Sequence, residues 1–172
     1  MGKITFILGG ARSGKSQYAI KLTKEKNKKV AFIATCQPKD LEMKKRIQWH
    51  KKIRPAYWQT FEEPQDLSAL LKKIGTKFEV ILIDCLTLWV SNLLLKNFKK
   101  VAIENEVNKI LSILKEIKAK SILVSNEVGL GIVPENKLAR DFRDIAGRVN
   151  QLVAKKSDVV FFLVSGIPWR IK

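Results

Sequence analysis

The sequence predicts an α/β fold in three layers, with helices on both faces of a mostly parallel sheet. Three observations carry the prediction. Short apolar runs, rich in β-branched residues, alternate along the 172 residues with longer segments of helical composition. A glycine-rich loop joins the first such run to the first helical segment. No repeat or low-complexity region interrupts the alternation, and 172 residues with 46% hydrophobic content suffice for one core but not two. A single domain spanning residues 1–172 is expected.

The loop is Gly9-Gly10-Ala11-Arg12-Ser13-Gly14-Lys15-Ser16, a glycine, four residues, then Gly-Lys-Ser. Lys3 to Leu8 before it reads as a buried strand and Gln17 to Lys26 after it as a helix, which is the setting a phosphate loop requires. Glycines there let successive backbone N–H groups turn inward on phosphate oxygens at a helix N-terminus, where the helix dipole also favours negative charge. Lys15 is then the cation that reaches the β and γ phosphates, and the Ser16 hydroxyl is a candidate ligand for Mg²⁺.

The following elements are read in order. Val30 to Ala34 is a second strand, ended by Thr35-Cys36-Gln37-Pro38. Asp40 is the expected N-cap of a helix to Lys51 with Met43, Ile47 and His50 on one face, stopped at Ile53-Arg54-Pro55. Tyr57 to Phe61 is a short strand and Asp66 to Lys73 a short helix. Phe78 to Asp84 is an apolar strand ending in a carboxylate, placed beside the first strand so that Asp84 holds Mg²⁺ opposite Ser16. Leu86 to Lys96 follows as a helical segment. Ile103 to Lys118 is an amphipathic helix, and Ser121 to Val124 another strand. Asn126-Glu127-Val128-Gly129-Leu130-Gly131 then forms a loop on the same sheet edge as the phosphate loop. A second amphipathic helix carries Leu138, Phe142, Ile145, Ala146, Val149, Leu152 and Val153. Asp158 to Val164 is the final central strand, before Ser165-Gly166-Ile167-Pro168.

Charge narrows the function class. Lys+Arg number 33 against 16 Asp+Glu, a formal net charge of +17. The lysines are spread over the whole chain in pairs, with no basic tail and no interleaved aromatic platform, so a solvated surface attractive to polyphosphates is expected rather than nucleic-acid binding. Val80 to Leu95 is broken by Asp84, Thr87, Ser91 and Asn92 and falls short of a membrane span. Met1-Gly2-Lys3 leads directly into the first strand without a secretory signal, and Cys36 and Cys85 are too few for a disulfide framework, so a cytoplasmic location is expected with both cysteines as packing residues.

Several stretches together resemble one family. They are the phosphate loop, Ile33-Ala34-Thr35, Arg46-Ile47-Gln48-Trp49-His50-Lys51, Arg54-Pro55, and the run from Asn126 through Pro134-Glu135-Asn136 to Arg148-Val149-Asn150. The chain is similar, over nearly its whole length, to the bifunctional adenosylcobinamide kinase / adenosylcobinamide-phosphate guanylyltransferase family. The resemblance implies a RecA-like phosphate-loop NTPase fold, a homotrimer, and two late reactions of cobalamin synthesis. In the first, a hydroxyl of adenosylcobinamide is phosphorylated with ATP or GTP. In the second, GMP passes from GTP through a GMP-histidine intermediate to that phosphate, giving adenosyl-GDP-cobinamide and pyrophosphate. The same resemblance places the guanylylated histidine at His50. It places nucleotide contacts at Gly9, Gly10, Ala11, Arg12, Ser13, Gly14, Lys15 and Ser16, at Ala34, Thr35 and Cys36, at Lys51, Lys52, Ile53 and Arg54, at Glu62 and at Asp84.

The residues support His50 independently. Histidine offers a neutral nucleophilic nitrogen near pH 7 and a labile P–N bond afterwards, and Lys51, Lys52 and Arg54 nearby are suited to neutralising phosphate charge. Glu127, Arg140, Arg143 and Asp144 are open between substrate contacts, subunit contacts and salt-bridged helix faces. Two other classes share some of these features. A small-molecule kinase without transferase activity would use the same loop and Asp84, and a nucleic-acid-binding ATPase would use the charge.

Overall fold

The computed structural model describes residues 1–24, 28–38, 41–52 and 54–172, without the side chains of residues 42, 45, 46, 49 and 50. Among these residues seven strands form one sheet: β1 (Ile4–Gly9), β2 (Val30–Ala34), β3 (Gln59–Glu62), β4 (Val80–Asp84), β5 (Lys120–Val124), β6 (Val159–Val164) and β7 (Ile167–Arg170). Their order is β3-β2-β4-β5-β1-β6-β7, with every neighbouring pair parallel except β6 and β7. The helices are α1 (Lys15–Thr23), α2 (Leu41–Lys52), α3 (Leu67–Ile74), α4 (Leu86–Leu95), α5 (Lys100–Glu116) and α6 (Lys137–Lys156).

The central strands are apolar on both faces because both are covered. Ile4, Phe6, Ile33, Ile81, Ile83 and Leu123 pack with residues of α3, α4, α5 and α6, including the fully buried Trp89. The alternate residues Ile7, Phe32, Leu82, Ile122 and Val124 pack with Ala19 and Ile20 of α1 and with Trp58. This is the three-layer arrangement expected. Local capping matches the sequence where it can be read: Asp66 accepts from the Ala69 N–H at 2.9 Å to start α3, and Asn136 accepts from the Ala139 N–H at 3.1 Å to start α6. Asp40, the expected cap of α2, lies outside the described residues.

Four expectations are corrected. The Asp84 strand is not beside the first strand, because β5 lies between β4 and β1. The strand ending at Val164 is neither final nor central: Ser165 (φ 50°) and Gly166 (φ 83°) make a two-residue reversal, and Ile167–Arg170 returns antiparallel as the edge strand β7. Gly166 and Pro168 read in sequence as a stop, yet an edge strand tolerates proline. Tyr57 and Trp58 precede β3 rather than forming it, since the Trp58 N–H bonds back to the Pro55 carbonyl at 3.1 Å in a turn. Leu138 stays 53% exposed, so the apolar face of α6 begins at Phe142. No helix among the described residues is long and apolar enough to cross a membrane.

Candidate nucleotide site

The loop after β1 closes on itself. The Ser13 N–H bonds to the Gly10 carbonyl at 3.3 Å, and Lys15, only 6% exposed, donates its ammonium to the same carbonyl and to the Ser13 hydroxyl at 3.3 Å. Two glycines are required by geometry. A Cβ at Gly9 would stand 2.5 Å from the Leu163 carbonyl oxygen and 2.6 Å from the Ser13 hydroxyl, and Gly14 has φ +91° with its Cβ position 3.2 Å from the Cα of Gly166. The strands flanking β1 support the loop from both sides. Beyond β6, the Gly166 N–H bonds to the Ser13 carbonyl at 3.0 Å; beyond β5, the Glu127 N–H bonds to the Gly9 carbonyl at 3.0 Å. Ser16 sits half-buried in the first turn of α1, while Ala11 and Arg12 are exposed.

Register brings the other candidates level with one another. Glu62 pairs with Ala34, Ala34 with Asp84, Asp84 with Val124, and Val124 with Ile7. Directly paired residues share a face, and Ile7, Ala34 and Val124 belong to the α1 side of the sheet. Glu62 and Asp84 therefore stand at the carboxyl edge on the face that carries α1. By the usual spacing of about 4.8 Å per strand, Asp84 lies about 10 Å from β1 and about 10 Å from β3. The insertion of β5 thus leaves Asp84 midway between the phosphate loop and the Glu62 end of the sheet.

At that end Arg54 is the organising side chain. Its guanidinium carbon lies 3.5 Å from the centroid of the Phe32 ring, against which Trp58 also stacks at 6.5 Å. Burial holds the Arg54 pKa below its ordinary value, and the carboxylates of Asp84 and Glu62 push it back up. One cation therefore feels both acids. Among the described residues, Arg54 Nε and Nη1 and Trp58 Nε1 are buried donors without a hydrogen-bond partner. Each such donor costs about 1–3 kcal/mol until something accepts from it. A cavity of about 410 Å³ opens beside them, bounded by Lys51, Arg54, Trp58, Thr60 and Glu62, with the Lys51 ammonium 2.7 Å from Glu62 Oε1. Trp58 and Thr60 were not legible as site residues, because only the turn at Pro55 turns them toward Glu62.

The remaining candidates divide. The His50 backbone lies in α2 one residue before Lys51, and its side chain, like residue 53, is outside the described set. Lys52 is exposed. Thr35 is fully buried: its hydroxyl donates to the Cys85 carbonyl at 2.7 Å and accepts from the Cys85 N–H at 2.9 Å, and Asn92 Nδ2 donates to its carbonyl at 2.8 Å. That side chain ties the end of β2 to the end of β4, leaving the half-buried Ala34 and Cys36 on either side of it. Cys85 is a packing residue as expected. Burial, and then the charge of Asp84, pushes its thiol up to about 12, so it stays neutral.

A phosphate loop, an acid on the same face, and a cation-lined cavity at the far end of one sheet edge suit a nucleotide-transfer enzyme. Comparison with known proteins agrees. The family described as cobinamide kinase / cobinamide phosphate guanyltransferase matches residues 5–171. The chain is 45% identical over 166 residues to the bifunctional adenosylcobalamin biosynthesis protein CobP of Pseudomonas aeruginosa, covering 96% of this chain and 95% of that one. It is 44% and 42% identical to the proteins named CobU of Salmonella typhimurium and Escherichia coli, in each case over 96% of this chain and 98% of theirs. With a match that runs almost end to end, this chain belongs to the cobinamide kinase / cobinamide phosphate guanyltransferase family.

Proposed function

We propose that this chain phosphorylates a hydroxyl of adenosylcobinamide with ATP or GTP and then transfers GMP from GTP to that phosphate, as a homotrimer in the cytoplasm. The observation that carries the reading is the shared edge. The phosphate loop, Asp84 and the Arg54–Glu62 cavity open on one face of the sheet, with Asp84 midway. In the first reaction the loop N–H groups and Lys15 hold the triphosphate and neutralise the charge that develops on it. The half-buried Ser16 hydroxyl and Asp84 carboxylate fit Mg²⁺, which takes one or two protein oxygens and completes its shell with phosphate and water. When bound it would supply charge neutralisation between the β and γ phosphates.

In the second reaction a nitrogen of His50 attacks the α-phosphorus of GTP, the bond to the bridging oxygen breaks, and pyrophosphate leaves. The phosphate of the acceptor then attacks the same phosphorus, the P–N bond breaks, and His50 is regenerated. Lys51, Lys52 and Arg54 follow His50 by one, two and four residues and are the cations suited to neutralising that phosphate. The Glu62 carboxylate suits the N1–H and N2–H donors of guanine, and the unpartnered donors of Arg54 and Trp58 suit its O6 and N7 acceptors. Adenine offers an acceptor at N1 and would oppose Glu62.

The test uses two labels on the unmodified enzyme. Phosphate from γ-labelled nucleotide should appear on adenosylcobinamide, and α-labelled GTP should leave label on denatured protein that acid releases and alkali does not. Kinase activity without protein-bound label would reduce the reading to a kinase alone.

A further inference from the structure

We propose that Glu127 accepts the proton of the hydroxyl phosphorylated in the kinase reaction, an inference that rests on the reading above. Its position follows from the strand that sequence alone misplaces. Because β5 lies between β1 and β4, the residues leaving β5 emerge between the phosphate loop and Asp84. The Glu127 N–H is bonded to the Gly9 carbonyl at 3.0 Å, which fixes this residue against the loop that would hold the γ-phosphate. The support behind it is buried and hydrogen-bonded. The Thr87 hydroxyl bonds the Ser125 hydroxyl at 3.0 Å and accepts from the Asn126 N–H at 2.6 Å, and Asn150 Nδ2 donates to the Asn126 carbonyl at 3.1 Å.

The other described carboxylates at this edge have different employment. Asp84 is the proposed metal ligand, Glu62 lies at the far strand paired with Lys51, and Glu63 accepts the N–H groups of Gln65 and Asp66, both at 2.8 Å. Glu127 is half-buried, and one oxygen, Oε1, takes the Gly129 N–H at 2.7 Å, which orients the group. The segment that follows carries Leu130 and Ile132, exposed by 81% and 96%, apolar surface that a bulky acceptor would cover beside the reacting centre.

The balanced step is simple. The acceptor O–H gives its proton to Glu127 as its oxygen bonds to the γ-phosphorus, and the bond from that phosphorus to the β–γ bridging oxygen breaks, releasing nucleoside diphosphate. The second reaction needs no such base. Its attacking group is a phosphate monoester, whose second pKa near 6 leaves its oxygens ionised at neutral pH.

This difference supplies the test, with E127Q, which keeps an acceptor for the Gly129 N–H and removes the base. Kinase kcat should fall about 100-fold, while KM for nucleotide and for adenosylcobinamide stays within about threefold. Transfer of GMP to separately prepared adenosylcobinamide phosphate should persist in the same sample, which also shows that the variant is folded. A kinase kcat reduced less than tenfold overturns the assignment. So does an equal loss of both reactions, which would make Glu127 a prop of the phosphate loop. If the unmodified enzyme shows no kinase activity, the functional reading itself fails, an outcome distinct from either.

Discussion

Arg54 is stacked on Phe32 with two of its nitrogens buried and without a hydrogen-bond partner among the described residues, and the ring face and two carboxylates are what stabilise its charge there. Such a group gains when a ligand brings acceptors, which is the physical reason to seat a guanine there. Glu62 supplies the matching discrimination. Its ion pair with Lys51 joins side chains 53% and 60% exposed, worth less than about 1 kcal/mol, so Glu62→Gln should scarcely change the unfolding midpoint. The preference for GTP over ATP in the labelling reaction should nonetheless drop about tenfold to 100-fold, since the amide can accept from one guanine donor but repels the other. Unchanged nucleotide preference, measured as a ratio of kcat/KM values, would take Glu62 out of the base pocket. At this scale the phosphate loop was legible from spacing alone. Trp58 was not, because a buried indole donor facing a cavity is indistinguishable in sequence from a core tryptophan.

Elements join through few residues, and Asp158 is one of them. Its Oδ2 accepts the Ile4 N–H at 2.7 Å and its carboxylate takes the Lys115 ammonium at 2.8–2.9 Å, linking the starts of β1 and β6 to the end of α5. Those contacts, Lys115 first, hold its pKa below the ordinary carboxylate value. Its stabilisation is therefore complete above the unfolded pKa of about 4 and is lost as pH falls from there through the lower folded value. With 43% of the side chain exposed, solvent screening limits the effect to about 1 kcal/mol. Asp158→Asn should lower the urea midpoint at pH 7 accordingly, with a deficit that shrinks as pH falls below about 4; a deficit that does not change with pH would mean packing rather than charge. Strands and helices with clear periodicity were legible, β2 to the residue. What sequence could not supply was strand order: nothing local distinguishes Phe78–Asp84 as next to β1 from the same strand one place further, and the difference is what brings Glu127 to the phosphate loop. The hairpin to β7 was hidden because Gly166 and Pro168 terminate helices and central strands but shape an edge turn.

Across the whole molecule, one phosphate loop faces two reactions. The described residues contain a single such loop, at β1, and the Arg54–Glu62 cavity lies four strand positions away at β3, about 19 Å along the edge. If both triphosphates are held by the loop, Lys15→Ala should abolish kinase and transferase activity together, each by at least about 100-fold, because the same ammonium neutralises the polyphosphate in either reaction. His50→Ala should divide them. His50 is the only histidine of the chain, so no second imidazole can carry GMP. Protein-bound label from α-labelled GTP and transfer to adenosylcobinamide phosphate should vanish, whereas direct phosphorylation uses the loop, Mg²⁺ and an oriented hydroxyl with its base, none of which is His50, and should remain within about threefold. Assaying both reactions for both variants discriminates the possible layouts. Transfer that survives Lys15→Ala would assign GTP to the Arg54–Glu62 end alone, and kinase activity lost with His50→Ala would mean that α2 shapes the phosphate loop rather than serving the second reaction only.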